Sequence, residues 1–184
     1  MMPPPLHSER LVLRLITLED LKDIHALHSL PETDEFNTLG IPESKQVTER
    51  VITPWIACHK AQEIQQYTFA IRTANGSFIG LIALQLGAPK YKKAEIWYKL
   101  HSSHWNQGFG TEALRTLLKF GFNTLQLHRI EAGCAVENIA SIRLLEKVGM
   151  TREGRKRAVL PLKSGWSDNY MYGLLDTDYE LSEH

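Results

Sequence analysis

The sequence predicts one domain of the α/β or α+β class, built around a mixed β-sheet. Segments with the period-two hydrophobic pattern of strands are interleaved with segments whose apolar residues recur at helical spacing. The 184 residues contain no internal repeat and no linker rich in Gly, Ser or Pro. The whole range 1–184 is therefore expected to fold as a single domain.

The N-terminal elements follow from local patterns. Alternation over residues 10–15 predicts a strand. Thr17 is expected to cap a helix that Pro31 ends. A second helix is predicted over residues 43–63, and Pro54 inside it is expected to break or kink the run.

The remaining elements alternate between strands and helices. Asn75 and Gly76 predict a hairpin turn, because both residue types tolerate positive φ. Strands are predicted over residues 67–72, 78–86, 94–100 and 130–136, with two more between 152 and 175. Helices are predicted over residues 108–124 and 140–148. The resulting order is β-α-α-β-β-β-α-β-α-β-β.

Composition excludes several classes of function. Lys plus Arg and Asp plus Glu both number 21, so the basic excess typical of nucleic-acid or anionic-membrane binding is missing. No apolar run approaches the ~20 residues of a membrane span, and the N-terminus does not resemble a secretory signal. Cys58 and Cys134 are expected to be buried thiols rather than a disulfide, which favours a cytoplasmic location.

A glycine-containing segment at residues 105–114 follows a predicted strand and opens a predicted helix. Gly108 and Gly110 allow a tight turn and close approach of a ligand to the backbone. The first N–H groups of a helix have no internal partner and form a site for phosphate. The segment lacks the Gly-Lys-Ser/Thr of a P-loop, and the alternative is a turn that only connects strand and helix.

A second informative segment covers residues 138–150. Asn138 suits the N-cap of a helix, whose apolar stripe includes Ile142, Leu145 and Val148. The simplest interpretation is that Asn138 only caps the helix and that Ser141 is a polar residue of its first turn.

Together these segments resemble the GNAT superfamily of acyl-CoA-dependent N-acyltransferases. The resemblance rests on Gln-Gly-Phe-Gly-Thr-Glu-Ala-Leu at residues 107–114 and Asn-x-x-Ser-x-x-Leu-Leu-Glu-Lys-Val-Gly-Met at 138–150. Glu-Arg-Leu-Val-Leu-Arg at 9–14 and Tyr-Met-Tyr at 170–172 are similar to the branch named for ribosomal-protein N-terminal acetyltransferases (RimJ/RimL-type). The match extends over about residues 10–175.

The resemblance implies a GNAT fold: a largely antiparallel sheet of about seven strands, flanked by about four helices and splayed in the middle. It also implies acetyl-CoA as cosubstrate. The backbone of Trp97, Tyr98, Lys99 and Leu100 would pair with the pantetheine arm. The loop amides that would hold the pyrophosphate are those of Gln107, Gly108, Phe109, Gly110 and Thr111. Asn138 would hydrogen-bond the pantetheine near its thiol end.

Two residues are the candidate catalytic groups. An amine must be neutral to attack the thioester, so a general base is useful, and Glu95 lies where the family often has a carboxylate. The leaving thiolate needs a proton, but Leu145 stands where many GNAT enzymes have a tyrosine. By resemblance to the RimL-like branch, Ser141 would take that role. The alternatives are a solvent-facing strand charge for Glu95 and a capping hydroxyl for Ser141.

The sequence is therefore expected to encode an N-acetyltransferase that acts directly, in a ternary complex, on a protein N-terminus or a small-molecule amine. The alternative is a non-catalytic acyl-CoA-binding or regulatory module on the same fold. A monomer or homodimer is expected, with no nucleic-acid or membrane partner. His101 and His104 lack nearby Cys or carboxylate residues, so no metal is expected.

Overall fold

The structure, a computed structural model that describes residues 3–182, contains one sheet of eight strands in the order β1-β2-β3-β4-β5-β6-β8-β7. The strands are β1 Leu6–His7, β2 Leu11–Leu15, β3 Gln66–Thr73, β4 Phe78–Leu86, β5 Lys93–Leu100, β6 Arg129–Ala135, β7 Thr151–Leu162 and β8 Gly165–Leu175. The α-helices are α1 Leu21–His28, α2 Pro31–Asp34, α3 Lys45–Cys58, α4 Phe109–Lys119, α5 Ile139–Lys147 and α6 Asp176–Ser182.

The sheet splits between β5 and β6. This is the one parallel pairing among the described strands, and it extends from Lys93 opposite Arg129 to Ile96 opposite Ala132. Beyond that point residues 97–100 pair with β4 alone, while residues 133–135 pair with β8. The two strands diverge into an open cleft, which confirms the predicted splay.

Helices cover both faces of the sheet. On one face, Leu114 of α4 and Leu145 of α5 pack with the strands into the larger core cluster. On the other face, Ile24 of α1 and Ile52 of α3 pack into a second cluster that includes Trp97. We call these the α4/α5 face and the α1/α3 face. Side chains alternate along β5, so its residues contribute to both.

Most predicted elements are confirmed, and the differences have local causes. Strand β1 was missed because two residues are too few to show alternation, and this raises the number of described strands from seven to eight. The helices exceed the predicted four because α2 and α6 were not recognised; Pro31 starts α2 as well as following α1. At the hairpin, Gly76 alone has a positive φ, of +89°.

Of the two outcomes expected at Pro54, a break or a kink, the break does not occur. Helix α3 continues through Pro54 from Lys45 to Cys58. Pro54 removes the N–H that would bond to the carbonyl of Arg50. Both residues are exposed, so water can satisfy that carbonyl.

Candidate active site

The N-terminus of α4 presents free backbone donors. Gly108 is the N-cap residue with φ of +81°, a conformation that favours glycine. The N–H of Glu112 bonds to the Gly108 carbonyl at 3.1 Å, whereas no described residue accepts a hydrogen bond from the N–H groups of residues 107–111. Together with the helix dipole, these donors form a site suited to a phosphate group.

Close packing sets the position of this helix end. A Cβ atom on Gly110 would lie 3.0 Å from Leu100 Cδ1 and 3.3 Å from Leu144 Cδ2. Glycine therefore lets α4 approach both the end of β5 and α5. The free donors consequently lie beside the cleft.

An ion pair that the sequence did not reveal fixes the same loop. Glu112, in the first turn of α4, accepts hydrogen bonds of 2.7 Å from the backbone N–H and the Nε of Arg10, and one from Ser8 Oγ. Arg10 also donates to the Gln107 carbonyl at 3.1 Å and stacks over the Phe109 ring. Partial burial opposes ionisation of Glu112, but these hydrogen bonds prevail and lower its pKa. The loop is thereby tied to the segment between β1 and β2.

The open segment of β5, residues 97–100, is free to pair with a ligand along most of its length. Residues 97–100 run along the cleft beyond the point where pairing with β6 ends. The Leu100 carbonyl is an exception, because it accepts a 2.9 Å hydrogen bond from the indole Nε1 of Trp105. Of the four residues predicted to pair with pantetheine, Leu100 thus has its carbonyl already engaged.

The start of α5 brings two predicted site residues together. Asn138 is the N-cap, and its Oδ1 accepts a 3.1 Å hydrogen bond from the Ser141 N–H, so the capping role is confirmed. Its amide nitrogen donates to no side chain or backbone group of the described residues. Asn138 can therefore cap the helix and still offer a donor to the cleft.

The hydroxyl of Tyr98 lies against Ser141 on the α4/α5 face. Tyr98 Oη donates to Ser141 Oγ across 3.1 Å. Burial raises the pKa of Tyr98, and the hydrogen bond to Ser141 opposes only part of that effect. The phenol therefore stays protonated. From the sequence, Tyr98 is expected to contact the pantetheine arm only through its backbone. The alternation of side chains along β5, which places Tyr98 on the same face as Ile96, is the sequence feature that indicates the role of its side chain.

Leu145 and Cys134 lie near the hydroxyl groups of Tyr98 and Ser141, but neither supplies a reactive group. Leu145 is fully buried in the core. Cys134 is 7% exposed, and burial, reinforced by Glu146, raises its pKa to about 11. A thiol with this pKa is almost entirely protonated at neutral pH and is a poor nucleophile.

Glu95 is not brought together with Ser141. It is exposed and lies on the α1/α3 face, three positions before Tyr98, where β5 is still paired with β6. It stands opposite Glu131, whose carboxylate is bonded to Arg129 at 2.8 Å and Lys93 at 3.1 Å. Glu95 itself forms no ion pair with any described residue.

Lys99 follows Glu95 and Trp97 on the α1/α3 face and is 6% exposed. Burial lowers its pKa to about 8, against the opposing charge of Asp34. The nearby His28 is 2% exposed, and burial, with help from Lys99 and His25, lowers its pKa to about 4. His28 is therefore neutral at physiological pH.

No metal site or membrane span is found in the described part of the chain. The rings of His101 and His104 are 6.0 Å apart, but residues 3–179, whose side chains the structure describes, contain no group of three side chains suited to holding a metal ion. Within the same range, no helix has both the length and the hydropathy needed to cross a membrane.

Comparison with known proteins gives a consistent result. Residues 10–151 match the family profile described as an acetyltransferase (GNAT) domain. The chain is 33% identical over 173 residues to the uncharacterized N-acetyltransferase YoaA of Bacillus subtilis, covering 94% of this chain and 97% of the relative.

Solved structures agree with this result. A GNAT-family acetyltransferase from Bacillus anthracis superposes with a TM-score of 0.82 at 26% identity, covering 95% of this chain and 99% of the other. Spermidine N-acetyltransferase of Vibrio cholerae, solved with CoA and spermine, gives 0.84 at 24% identity, covering 94% and 99%. This second likeness is one of fold.

Proposed function

Since the chain belongs to the GNAT family of acetyltransferases, we propose that it transfers the acetyl group of acetyl-CoA to a primary amine by direct attack in a ternary complex. The observation that carries the proposal is the row of unpartnered N–H groups at the start of α4, beside the open segment of β5. One end of the cleft offers phosphate-binding donors, and its edge offers a strand partner.

The residues present fit acetyl-CoA. The amides of residues 107–111 would hold the pyrophosphate, and the backbone of residues 97–99, with the Leu100 N–H, would bind the pantetheine arm. The Asn138 amide nitrogen would donate to that arm near its thiol end. The cosubstrate supplies the thioester, and the remaining chemistry falls to this chain's own side chains.

Ser141 is the proposed donor to the departing thiolate. Because Tyr98 donates its single proton to Ser141 Oγ, the Ser141 proton is free to point elsewhere. Tyr98 would thus act as a positioning residue that turns the Ser141 proton toward the cleft. A hydroxyl aimed where negative charge develops stabilises the transition state more than the ground state.

Glu95 is the proposed base for the incoming amine. An α-amine has a pKa of ~8 and a lysine side chain a pKa of ~10.4, so removal of a proton precedes attack. Glu95 is exposed and has no competing ion pair among the described residues, so a water molecule can connect it to the amine. The base and the acid therefore work from opposite faces of β5.

Direct transfer is favoured over a covalent intermediate. Cys134 is the thiol beside the cleft, and its pKa of about 11 leaves little thiolate at neutral pH. We expect sequential kinetics with CoA released only when an amine is present. A Cys134→Ala variant should retain its activity.

The acceptor belongs to the same proposal. A protein N-terminus or a small-molecule amine fits the reaction, and the motifs at residues 9–14 and 170–172 favour the RimJ/RimL-type branch. The two free cysteines favour a cytoplasmic enzyme, which would act as a monomer or homodimer. Leu145, at the usual position of the acid, favours the second candidate, a non-catalytic acyl-CoA-binding module.

An assay of CoA release separates the two candidates. Purified protein is mixed with acetyl-CoA and a panel of amines, and free CoA is measured over time. An enzyme releases CoA in proportion to amine concentration. A binding module is stabilised by acetyl-CoA against thermal unfolding, yet releases no CoA with any amine.

A further inference from the structure

The side chain of Asn169 lies over the strand that borders the cleft. A Cβ atom on Gly133 of β6 would lie 2.7 Å from Asn169 Nδ2 and 3.3 Å from Asn169 Oδ1. Gly133 is exposed, and it is the first residue of β6 beyond the pairing with β5, where the two strands diverge. Glycine therefore leaves room for a carboxamide at the point where the cleft opens.

Only the nitrogen of this carboxamide has a partner within the described part of the chain. Asn169 Nδ2 donates to Met171 Sδ at 3.3 Å, whereas Asn169 Oδ1 accepts no hydrogen bond from the residues described. The half-buried side chain is thus held between the Met171 sulfur and the Gly133 backbone. Its oxygen remains available to a ligand.

Asn169 lies on the same face of the sheet as the proposed base. Glu95 of β5 is opposite Glu131 of β6, and Gly133 follows Glu131 by two positions. In β8, Met171 is opposite Gly133, and Asn169 is again two positions away. Because cross-strand partners and residues two apart share a face, all five residues belong to the α1/α3 face.

This part of the α1/α3 face is open on one side and has an aromatic wall on the other. Helices α1 and α3 pack against β4 and β3. Trp97 and Gly133 are the first residues of β5 and β6 beyond the paired segment, and Trp97 contacts Trp55 of α3 with a centroid distance of 5.1 Å. The carboxamide of Asn169 and the ring of Trp97 therefore belong to opposite sides of the cleft, with Glu95 at its base.

An amine that enters this space must direct its lone pair at the thioester. After one proton leaves a primary ammonium group, two N–H bonds remain on the nitrogen. An oxygen that accepts a hydrogen bond from one of them fixes the rotation of the amine, and orientation of this kind contributes to the rate. Asn169 Oδ1 is an unpartnered oxygen at the required place.

We propose that Asn169 Oδ1 binds the attacking nitrogen of the acceptor amine, and that Gly133 is the positioning residue that admits the carboxamide to the cleft. The inference rests on the proposed function, because it adds the contact that holds the second substrate beside Glu95. The contact involves the reacting nitrogen alone. It is therefore the same for every primary amine that the enzyme accepts.

Two substitutions at different residues test this one contact. Asn169→Ala removes the carboxamide, and we expect kcat/KM for the amine to fall about tenfold, with the KM for acetyl-CoA unchanged. Gly133→Ala retains Asn169 but displaces its amide, and kcat/KM should again fall. Since both changes act through the same carboxamide, Gly133→Ala should have no further effect in the Asn169→Ala background.

The assay measures CoA release at saturating acetyl-CoA with alaninamide, phenylethylamine and spermidine, and the loss should be similar for each amine that reacts. Two control variants should retain kcat/KM. Gly154→Ala lies at an exposed strand glycine where an added Cβ would meet nothing within 4 Å, and Asn123→Ala lies at an exposed asparagine.

Three outcomes would contradict these expectations. Equal kcat/KM values for Asn169→Ala and Asn123→Ala overturn the inference, and so does a full effect of Gly133→Ala in the absence of the Asn169 carboxamide. In either case CoA release by the wild type leaves the proposed function intact. Absence of CoA release with every amine overturns both. If Asn169→Ala fails to fold, the comparison of Gly133→Ala with Gly154→Ala provides the same test.

Discussion

The two faces of β5 handle their polar groups in opposite ways. On the α4/α5 face, Tyr98 donates to Ser141, and Asn138 accepts from the Ser141 N–H. On the α1/α3 face, Lys99 Nζ and Asp34 Oδ1 are buried and have no hydrogen-bond partner among the described residues. The first arrangement is preorganised for the proposed ligand, the acetyl donor. The second leaves polar groups unsatisfied on the face that also carries the exposed Glu95, the proposed base for the acceptor amine.

Substitution of Ser141 gives the largest expected effect and tests the α4/α5 face. Ser141→Ala should lower kcat about 10²-fold, because proton donation to the leaving group is lost. The Asn138 cap is retained, since it binds the backbone N–H. Steady-state kinetics at saturating acetyl-CoA measure this effect. Ser164→Ala, in the turn before β8, is the control, and similar kcat values for both variants would remove Ser141 from the mechanism.

Acid should destabilise the fold through the α1/α3 face, because His28 is buried there in its neutral form. Its pKa falls from 6.5 to about 4 on folding, so the unfolded chain binds the proton more readily between these values. The contribution of neutral His28 to the free energy of unfolding is fully present above pH 6.5. It decreases by up to about 3 kcal/mol as the pH falls toward 4.

Thermal unfolding at pH 7.5 and pH 5 measures this loss. His28→Gln should reduce the difference in Tm between the two pH values, whereas His7→Gln, at an exposed histidine, should not. Equal pH dependence in all three proteins would show that His28 is not the group responsible.

Tyr98→Phe should have a smaller effect than Ser141→Ala. The Ser141 hydroxyl remains but loses its orientation, and we expect a decrease in kcat of about tenfold. If Tyr98 acts only through Ser141, the two substitutions combine to less than the product of their effects. A double-mutant cycle on kcat measures this coupling, with Tyr91→Phe as the exposed control. Independent, multiplicative effects would argue against a positioning role.

The two faces also differ in how well the sequence predicts them. On the α4/α5 face, the local sequence pattern is sufficient to predict the site, because its residues lie in short segments whose residue types directly indicate a helix start. These residues are Gly108, Gly110, Asn138 and Ser141. Lys99 and Asp34 come from different elements, and no local pattern links them. The pairing of Arg10 with Glu112 spans 102 residues and was missed for the same reason. Such contacts depend on tertiary packing.

The increase in the free energy of unfolding on addition of acetyl-CoA tests whether the acetyl donor binds on the α4/α5 face and not on the α1/α3 face. It is measured for the wild type and for three variants, Gly108→Val, Gly76→Val and Lys99→Met. Gly76 has a φ of +89° in a turn, so its variant controls for backbone strain at Gly108. A ligand at about 100 times its Kd adds roughly 2.7 kcal/mol to stability. We predict that Gly108→Val loses this stabilisation, whereas Gly76→Val and Lys99→Met retain it. Loss in Lys99→Met, or retention in Gly108→Val, would contradict the assignment of acetyl donor and acceptor to opposite faces of β5.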